Sequence, residues 1–281
     1  MLTMTTLRRL WNANAPLTAT GLVMLAALIA SVIAMAVDSS QILGAPRWLK
    51  PAKFAISSAI YAFTLAWIFT WLPERRRLTA IVGGISAVVL VVEVGIIDLQ
   101  AARGMTSHFN AATALDAALF AVMGIAILVL WVAAMVLTVA LFRHRFEDAS
   151  LGWALRLGML LTVIGQGTGG LMTIPSSARL EAARSSGLHV SGSHTVGAPD
   201  GGPGLPVTGW SREHGDLRAP HFVGLHAVQV LPAIAWLGGW FGAAWHRRAV
   251  LLGAAGYYAL FAILLAQALA GHPVLPMMVS R

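Results

Sequence analysis

The chain has 281 residues, 58% hydrophobic and only 11% charged, less than half the charged fraction of an ordinary soluble domain, so its composition is that of a membrane protein. The formal net charge is +8, but the basic residues come in short clusters between apolar runs rather than along one stripe, which argues against nucleic-acid binding. With no cysteine, disulfides, thiolate metal sites and cysteine nucleophiles are excluded.

Seven runs are apolar and long enough to cross a hydrocarbon core of about 30 Å. They are Pro16–Val37, Phe54–Leu72, Leu78–Leu99, Ala117–Phe142, Leu151–Thr173, Phe222–Trp245 and Ala249–Ala270. The runs are continuous rather than alternating, so helices are the spanning element. The expectation is an all-α, seven-helix transmembrane bundle, a single integral membrane domain over residues 1–281 with the lipid bilayer as its surroundings. The first run is longer than the core of a signal peptide and reads as a retained helix despite Arg8 and Arg9 ahead of it.

Basic residues set the orientation. Arg8, Arg9, Arg75–Arg77, Arg143, Arg145, Arg247 and Arg248 cluster in short connections on one side, which predicts a cytoplasmic N-terminus and an extracytoplasmic C-terminus in a bacterial inner membrane. The 38–53 connection, with Arg47, Lys50 and Lys53, runs against that rule.

Between the fifth and sixth spans lies a 46-residue, glycine-rich extracytoplasmic connection, 174–219. Its first half reads as a tether. From Gly204 onward it gathers Trp210, Arg212, His214, Asp216, Arg218 and His221, a density of aromatic, acidic, basic and imidazole groups that predicts an ordered cap. Seven of the nine histidines, including His108, His189, His194 and His272, fall on this outer half.

Ionisable groups inside spans are costly and mark functional candidates. Glu93, Gln166 and His226 lie on three different spans at one depth, about 9 to 10 Å from the outer end at 1.5 Å per residue. Gln100 and Gln229 extend their faces, and Asp98, Arg103, Ser107 and Asn110 line the mouth above, while Asp116 suits a helix N-cap. Arg156 is near enough to an end to snorkel. Gly165 with Gly169, and Gly238 with Gly242, would allow close helix approach, and Pro232 would kink the sixth span. The catalytic candidates are therefore Glu93, Gln166, His226, Asp216 and Arg218. Imidazole chemistry adds His108, His221, His226 and Glu93 as metal ligands, or His226 and His108 as haem b ligands. His221 and His226 are five apart and would not chelate one ion from a regular helix.

Two patterns fail on context. Gly165-Gln-Gly167-Thr-Gly-Gly170 matches the dinucleotide glycine pattern but lies inside an apolar span without a preceding strand. Ser191-Gly-Ser-His194 with Ser211-Arg212 shares residue types with the lipid-phosphatase signature, but the spacing of Arg212, His214 and Asp216 does not fit. Three segments, Trp48-Leu-Lys-Pro-Ala-Lys-Phe54, Ala102-Arg-Gly-Met-Thr-Ser-His-Phe-Asn110 and Gly215-Asp-Leu-Arg-Ala-Pro-His-Phe-Val-Gly-Leu-His226, resemble those of a bacterial multi-pass membrane family to which no activity is assigned. The resemblance implies membrane location and no chemistry.

Three functional readings stand at this point. One is an integral membrane enzyme or redox protein with an outward-facing pocket, dependent on a metal ion or haem b and acting on a small molecule. The second is a proton-coupled small-solute transporter using Glu93 and His226. The third is a membrane sensor or assembly factor without catalysis.

Overall fold

Asn14 starts the first long helix. Its side-chain oxygen accepts the Leu17 amide at 3.0 Å, and Pro16 follows in the first turn, so an N-cap and a proline together set the boundary. The structure is a computed structural model describing residues 4–174, 192–198 and 200–275; His189 and Ser191 lie outside the described residues. The chain divides into two units, Met1–Leu137 and Thr138–Arg281.

In the first unit, α1 (Met4–Ala13) is a short amphipathic helix that buries Leu10, leaves Trp11 exposed and holds the Arg9 guanidinium 5.9 Å over the Trp71 ring. Helix α2 (Ala15–Val37) leads to a hairpin of β1 (Gln41–Ile42) and β2 (Ala45–Pro46), turned by Leu43 and Gly44 at φ +50° and +75°. Two successive positive φ values match the twist of a two-residue hairpin. Asp38 ties this hairpin down: its carboxylate accepts the Ser40 hydroxyl and amide and the Trp48 indole N–H, with Arg47 at 3.3 Å. These partners hold its pKa down to about 2. Helix α3 (Leu49–Phe69), a 3-10 turn at Pro73–Arg75 and α4 (Arg76–Ala102) follow. Helices α2, α3 and α4 pack on one another, for example through Met24, Ala59 and Val94. Phe63 lies across Gly21, where any Cβ would be 2.7 Å from the ring.

Helix α5 (Ala114–Arg143) runs from the first unit into the second. The second unit continues with α6 (Ala149–Met172), capped by Asp148 accepting the Ser150 and Leu151 amides at 2.8 and 3.1 Å. Two small strands, β3 (Thr195–Val196) and β4 (Gly215–Asp216), pair antiparallel. Then come α7 (Arg218–Leu225), α8 (Ala227–Gly239) and α9 (Ala243–Leu269). Helices α6, α8 and α9 pack mutually around Ala154, Leu231 and Val250.

Among the described residues, six helices are long and apolar enough to cross a membrane, and α7 with α8 makes a seventh if that bent pair is one span. Large apolar side chains face outward along them, among them Ile29 and Ile33 on α2, Val88 on α4, Ile125 on α5 and Ile263 on α9. Such faces suit lipid and not water. The protein is a multi-pass, nearly all-α membrane protein.

The sixth span departs from the expected unbroken Phe222–Trp245 helix. The bend of 48° falls at His226, not at Pro232, and the helix ends at Gly239, after which Gly242 turns the chain at φ +95°. Other helices stabilise the break. Thr162 Oγ1 lies 3.3 Å from the Gly224 and Leu225 carbonyls and accepts the Val228 amide at 3.3 Å, while the Tyr257 hydroxyl donates to the Val223 carbonyl at 2.9 Å. These are groups that a continuous helix would bond internally, and in a membrane interior they need partners.

Glycines on α6 let its backbone reach the break. A Cβ at Gly165 would be 2.6 Å from Gly224 Cα, and one at Gly158 would be 2.9 Å from the Ala227 carbonyl oxygen. Gly169 faces the His221 ring, whereas Gly242, expected to pack, has nothing near it and serves the turn.

Candidate functional site

Glu93 is buried in the first unit, 5% exposed, on the face of α4 that packs inside. Its Oε1 lies 3.7 Å from His108 Nε2, an ion-pair separation too long for a direct hydrogen bond, and its Oε2 has no partner among the described residues. The other ring nitrogen, His108 Nδ1, is 3.1 Å from Lys50 Nζ and 3.1 Å from Ser107 Oγ. An ammonium can only donate, so Nδ1 accepts and a neutral ring carries its proton on Nε2, toward Glu93. Lys50, His108 and Glu93 thus form a chain of three ionisable groups leading into the bundle.

Local structure explains how a loop histidine reaches a helix carboxylate. Phe109 follows His108 at φ +57°, a strained value for a large side chain, and is held there by burial and an edge-on contact with Phe120 at 5.6 Å. Asn110 braces the same turn by donating to the Thr106 carbonyl and accepting the Ala112 amide. Phe54, one turn beyond Lys50 on α3, packs on the His108 ring at 5.6 Å and lies under the Lys50 ammonium at 5.7 Å.

Gln100 belongs to a neighbouring cluster instead of extending the Glu93 site. It donates to Asp116 Oδ1 at 2.9 Å, Arg103 donates to the same oxygen at 2.8 Å and also to Gln100, and Thr113 donates to Asp116 Oδ2 at 2.7 Å. Thr113, whose hydroxyl accepts the Asp116 amide, therefore caps α5, and Asp116 is its reciprocal partner rather than the N-cap itself.

The other candidates are in the second unit. Asp216 is fully buried and accepts four donors: the Arg218 amide at 3.0 Å, Arg218 Nε at 2.9 Å, Arg218 Nη2 at 2.6 Å and the Ser211 amide at 2.7 Å. Arg218 Nη2 also donates to the Gly209 carbonyl. Every strong acceptor direction of Asp216 is in use, and the pair fastens the 204–218 segment. Gly215 beside it lies against α9, where a Cβ would be 2.0 Å from the Ala268 carbonyl oxygen. Asp200 is organised likewise: burial would push its pKa up, but the His194 ring and the His194 and Thr195 amides hold it well below the usual carboxylate range.

His221 lies inside α7 with Nδ1 2.8 Å from the Gly165 carbonyl, which fixes the proton on that nitrogen, and 3.1 Å from Thr168 Oγ1. His226 occupies the helix break, half-buried, with the Phe222 ring at 4.3 Å. The two imidazoles thus have separate partners. Gln166 is half-buried on α6 with Oε1 enclosed and unpartnered among the described residues. Arg156 donates to the Leu141 and His144 carbonyls at 3.1 and 2.6 Å, closing the end of α5, with the Phe146 and Trp153 rings beside its guanidinium.

The four expected metal ligands fall as Glu93 with His108 in the first unit and His221 with His226 in the second. Among the described residues no group of three or more His, Asp or Glu side chains is arranged to hold a metal ion. No family model, curated protein or solved structure matches this chain.

Two participants escaped the sequence reading. Lys50 was visible only as one of the basic residues of the 38–53 connection, with nothing to tie it to His108. Thr162 carried no signal, because a threonine in an apolar run looks like packing.

Proposed function

We propose that the protein is a proton-coupled carrier of small solutes in the bacterial cytoplasmic membrane, with Glu93 as the residue that gains and loses the proton. The observation that carries this reading is the Lys50–His108–Glu93 chain, which leads from the first turn of α3 to a buried carboxylate with one oxygen still unpartnered. Charged groups within a span are retained where they relay protons or ions. The transfer balances within the chain. Lys50 gives a proton to His108 Nδ1, His108 closes the 3.7 Å gap and gives its Nε2 proton to Glu93 Oε1, Lys50 recovers a proton from the external water, and rotation of the imidazole restores its first tautomer, so one proton has moved from the water onto the carboxylate.

Two features of the fold support a carrier over a simple enzyme. The α7–α8 helix is broken with its backbone rebonded by neighbours, as in the discontinuous helices that form transport sites. Three mutually packed helices, α2 to α4, precede α5 in the chain, and three elements, α6, the α7–α8 pair and α9, follow it, a division that suits a carrier built of two parts. Orientation follows the arginine clusters, which place the Lys50 and His108 end outside.

The test uses proteoliposomes loaded with a pH-sensitive dye and challenged with a potassium diffusion potential and a panel of amino acids, organic acids, sugars and amines. The expected result is proton entry accelerated by one solute class and abolished by Glu93→Gln. Folded protein that moves no proton under any of these conditions would contradict the reading.

A further inference from the structure

Four polar groups fall in line on α4 among buried apolar residues such as Val82, Val89, Leu90 and Ile97. Thr79, Ser86, Glu93 and Gln100 are separated by seven residues each, and all four are buried. Seven residues are nearly two full turns, so these groups form a file with only about 20° of drift per step. The two ends of the file are satisfied, since Thr79 donates to the Arg75 and Arg76 carbonyls and Gln100 donates to Asp116. The middle is not. Ser86 Oγ, on a residue with no solvent exposure, and Glu93 Oε2 both have no hydrogen-bond partner among the described residues.

A helical serine ordinarily bonds back to the carbonyl four residues earlier. Thr18 and Ser31 do so here, at 2.9 Å each, and Ser86 does not. Its hydroxyl is thus withheld from the backbone. Buried polar atoms without partners are costly and draw in water where the surroundings are polar. The next polar group along the file is the Asn14 amide, which lies over Gly83 so closely that a Cβ there would be 2.2 Å from its nitrogen. Ser86 is one turn from that amide and about 10 Å along the axis from Glu93, a span that a few hydrogen-bonded waters cover.

We infer that Ser86 is a relay residue: with water held between it and Glu93, it connects the carboxyl group to the Asn14 end of the first unit. Glu93 then exchanges protons toward one end through His108 and Lys50, and toward the other through Ser86. In the second direction the Glu93 carboxyl releases its proton to a water, and the Ser86 hydroxyl accepts a proton on that side and gives one up to a water on the Asn14 side, ending unchanged. This inference rests on the proton-coupled reading and adds to it the second half of the path.

The test compares Ser86→Ala, Ser86→Leu and Ser86→Thr with the wild type and Glu93→Gln in the same dye-loaded proteoliposomes, with thermal melting of each variant. Ser86→Leu should slow Glu93-dependent proton movement by about a hundredfold, the low end for losing a proton-transfer group, Ser86→Ala by less, and Ser86→Thr should keep the wild-type rate. Ser86→Ala decides the matter if Ser86→Leu does not fold, since it removes one oxygen and nothing else. Wild-type rates in Ser86→Ala and Ser86→Leu, with Glu93→Gln still inactive, would overturn the relay and leave the carrier standing. Equal slowing by Ser86→Thr would mark a packing effect and overturn it too. A wild type without Glu93-dependent proton movement would remove both.

Discussion

Glu93 in the first unit and Asp216 in the second are both buried carboxylates, 5% and 0% exposed, yet their surroundings differ in kind. Asp216 receives four donors, three of them from Arg218, and its charge is balanced by that guanidinium. Glu93 has one imidazole at ion-pair distance and one oxygen without a partner among the described residues. A saturated carboxylate has no acceptor direction left for a substrate or a travelling proton, whereas an unsaturated one has. The comparison separates Asp216 and Arg218, two of the catalytic candidates from the sequence, which bond each other and fasten the 204–218 segment, from Glu93, whose Oε2 has no partner among the described residues.

Asp216→Ala should produce the largest loss of stability, about 3–5 kcal/mol, because it strands a partly buried guanidinium and several amides. Denaturation in mixed detergent would measure it, and a loss below about 1 kcal/mol, as for an exposed pair, would erase the contrast. Glu93→Gln should leave that stability unchanged or raised, since it removes a buried carboxylate with one oxygen unpartnered among the described residues.

The helix break sharpens the same contrast. Thr162→Val should cost about 1–3 kcal/mol by taking the hydroxyl away from the Val228 amide and the Leu225 carbonyl. Gly165→Ala should cost a similar amount, about 1–3 kcal/mol, because its Cβ would meet the Gly224 backbone. Gly84→Ala on α4, with nothing near its added Cβ, should instead stabilise by up to about 1 kcal/mol.

The smallest effect belongs to the hairpin. The pKa of Asp38 is lowered on folding from 3.8 to about 2, so its contribution is present above pH 3.8 and is lost as the pH falls through about 2. The difference in tryptophan fluorescence between wild type and Asp38→Asn should therefore be constant above pH 4 and collapse across that window, reporting release of Trp48. A difference independent of pH down to 2 would remove Asp38 as the anchor.

Composition alone revealed the apolar helices, because long uncharged runs have few other uses. It could not reveal the break at His226. Pro232 was the visible helix breaker, but the bend falls where Thr162 and Tyr257, distant in sequence, supply bonds to the backbone. Glu93 stood out as a charge in an apolar run, and His108 as an imidazole near its end. Their approach depends on the left-handed turn at Phe109, which residue type does not announce. Asp216 and Arg218 looked chemical from their polarity, since saturation is a property of geometry and not of composition. Ser86 looked ordinary for the converse reason: serine inside a span normally bonds its own helix, and only coordinates show that this one does not.

The central claim is that Glu93 changes protonation state within the membrane. Infrared difference spectroscopy of the reconstituted protein between acidic and alkaline buffer tests it directly. The account predicts a carbonyl-stretch band of a protonated carboxylic acid that appears on acidification, shifts in deuterated buffer and is missing in Glu93→Gln. The same band in Glu93→Gln, or no titrating carboxyl band in the wild type, would contradict it.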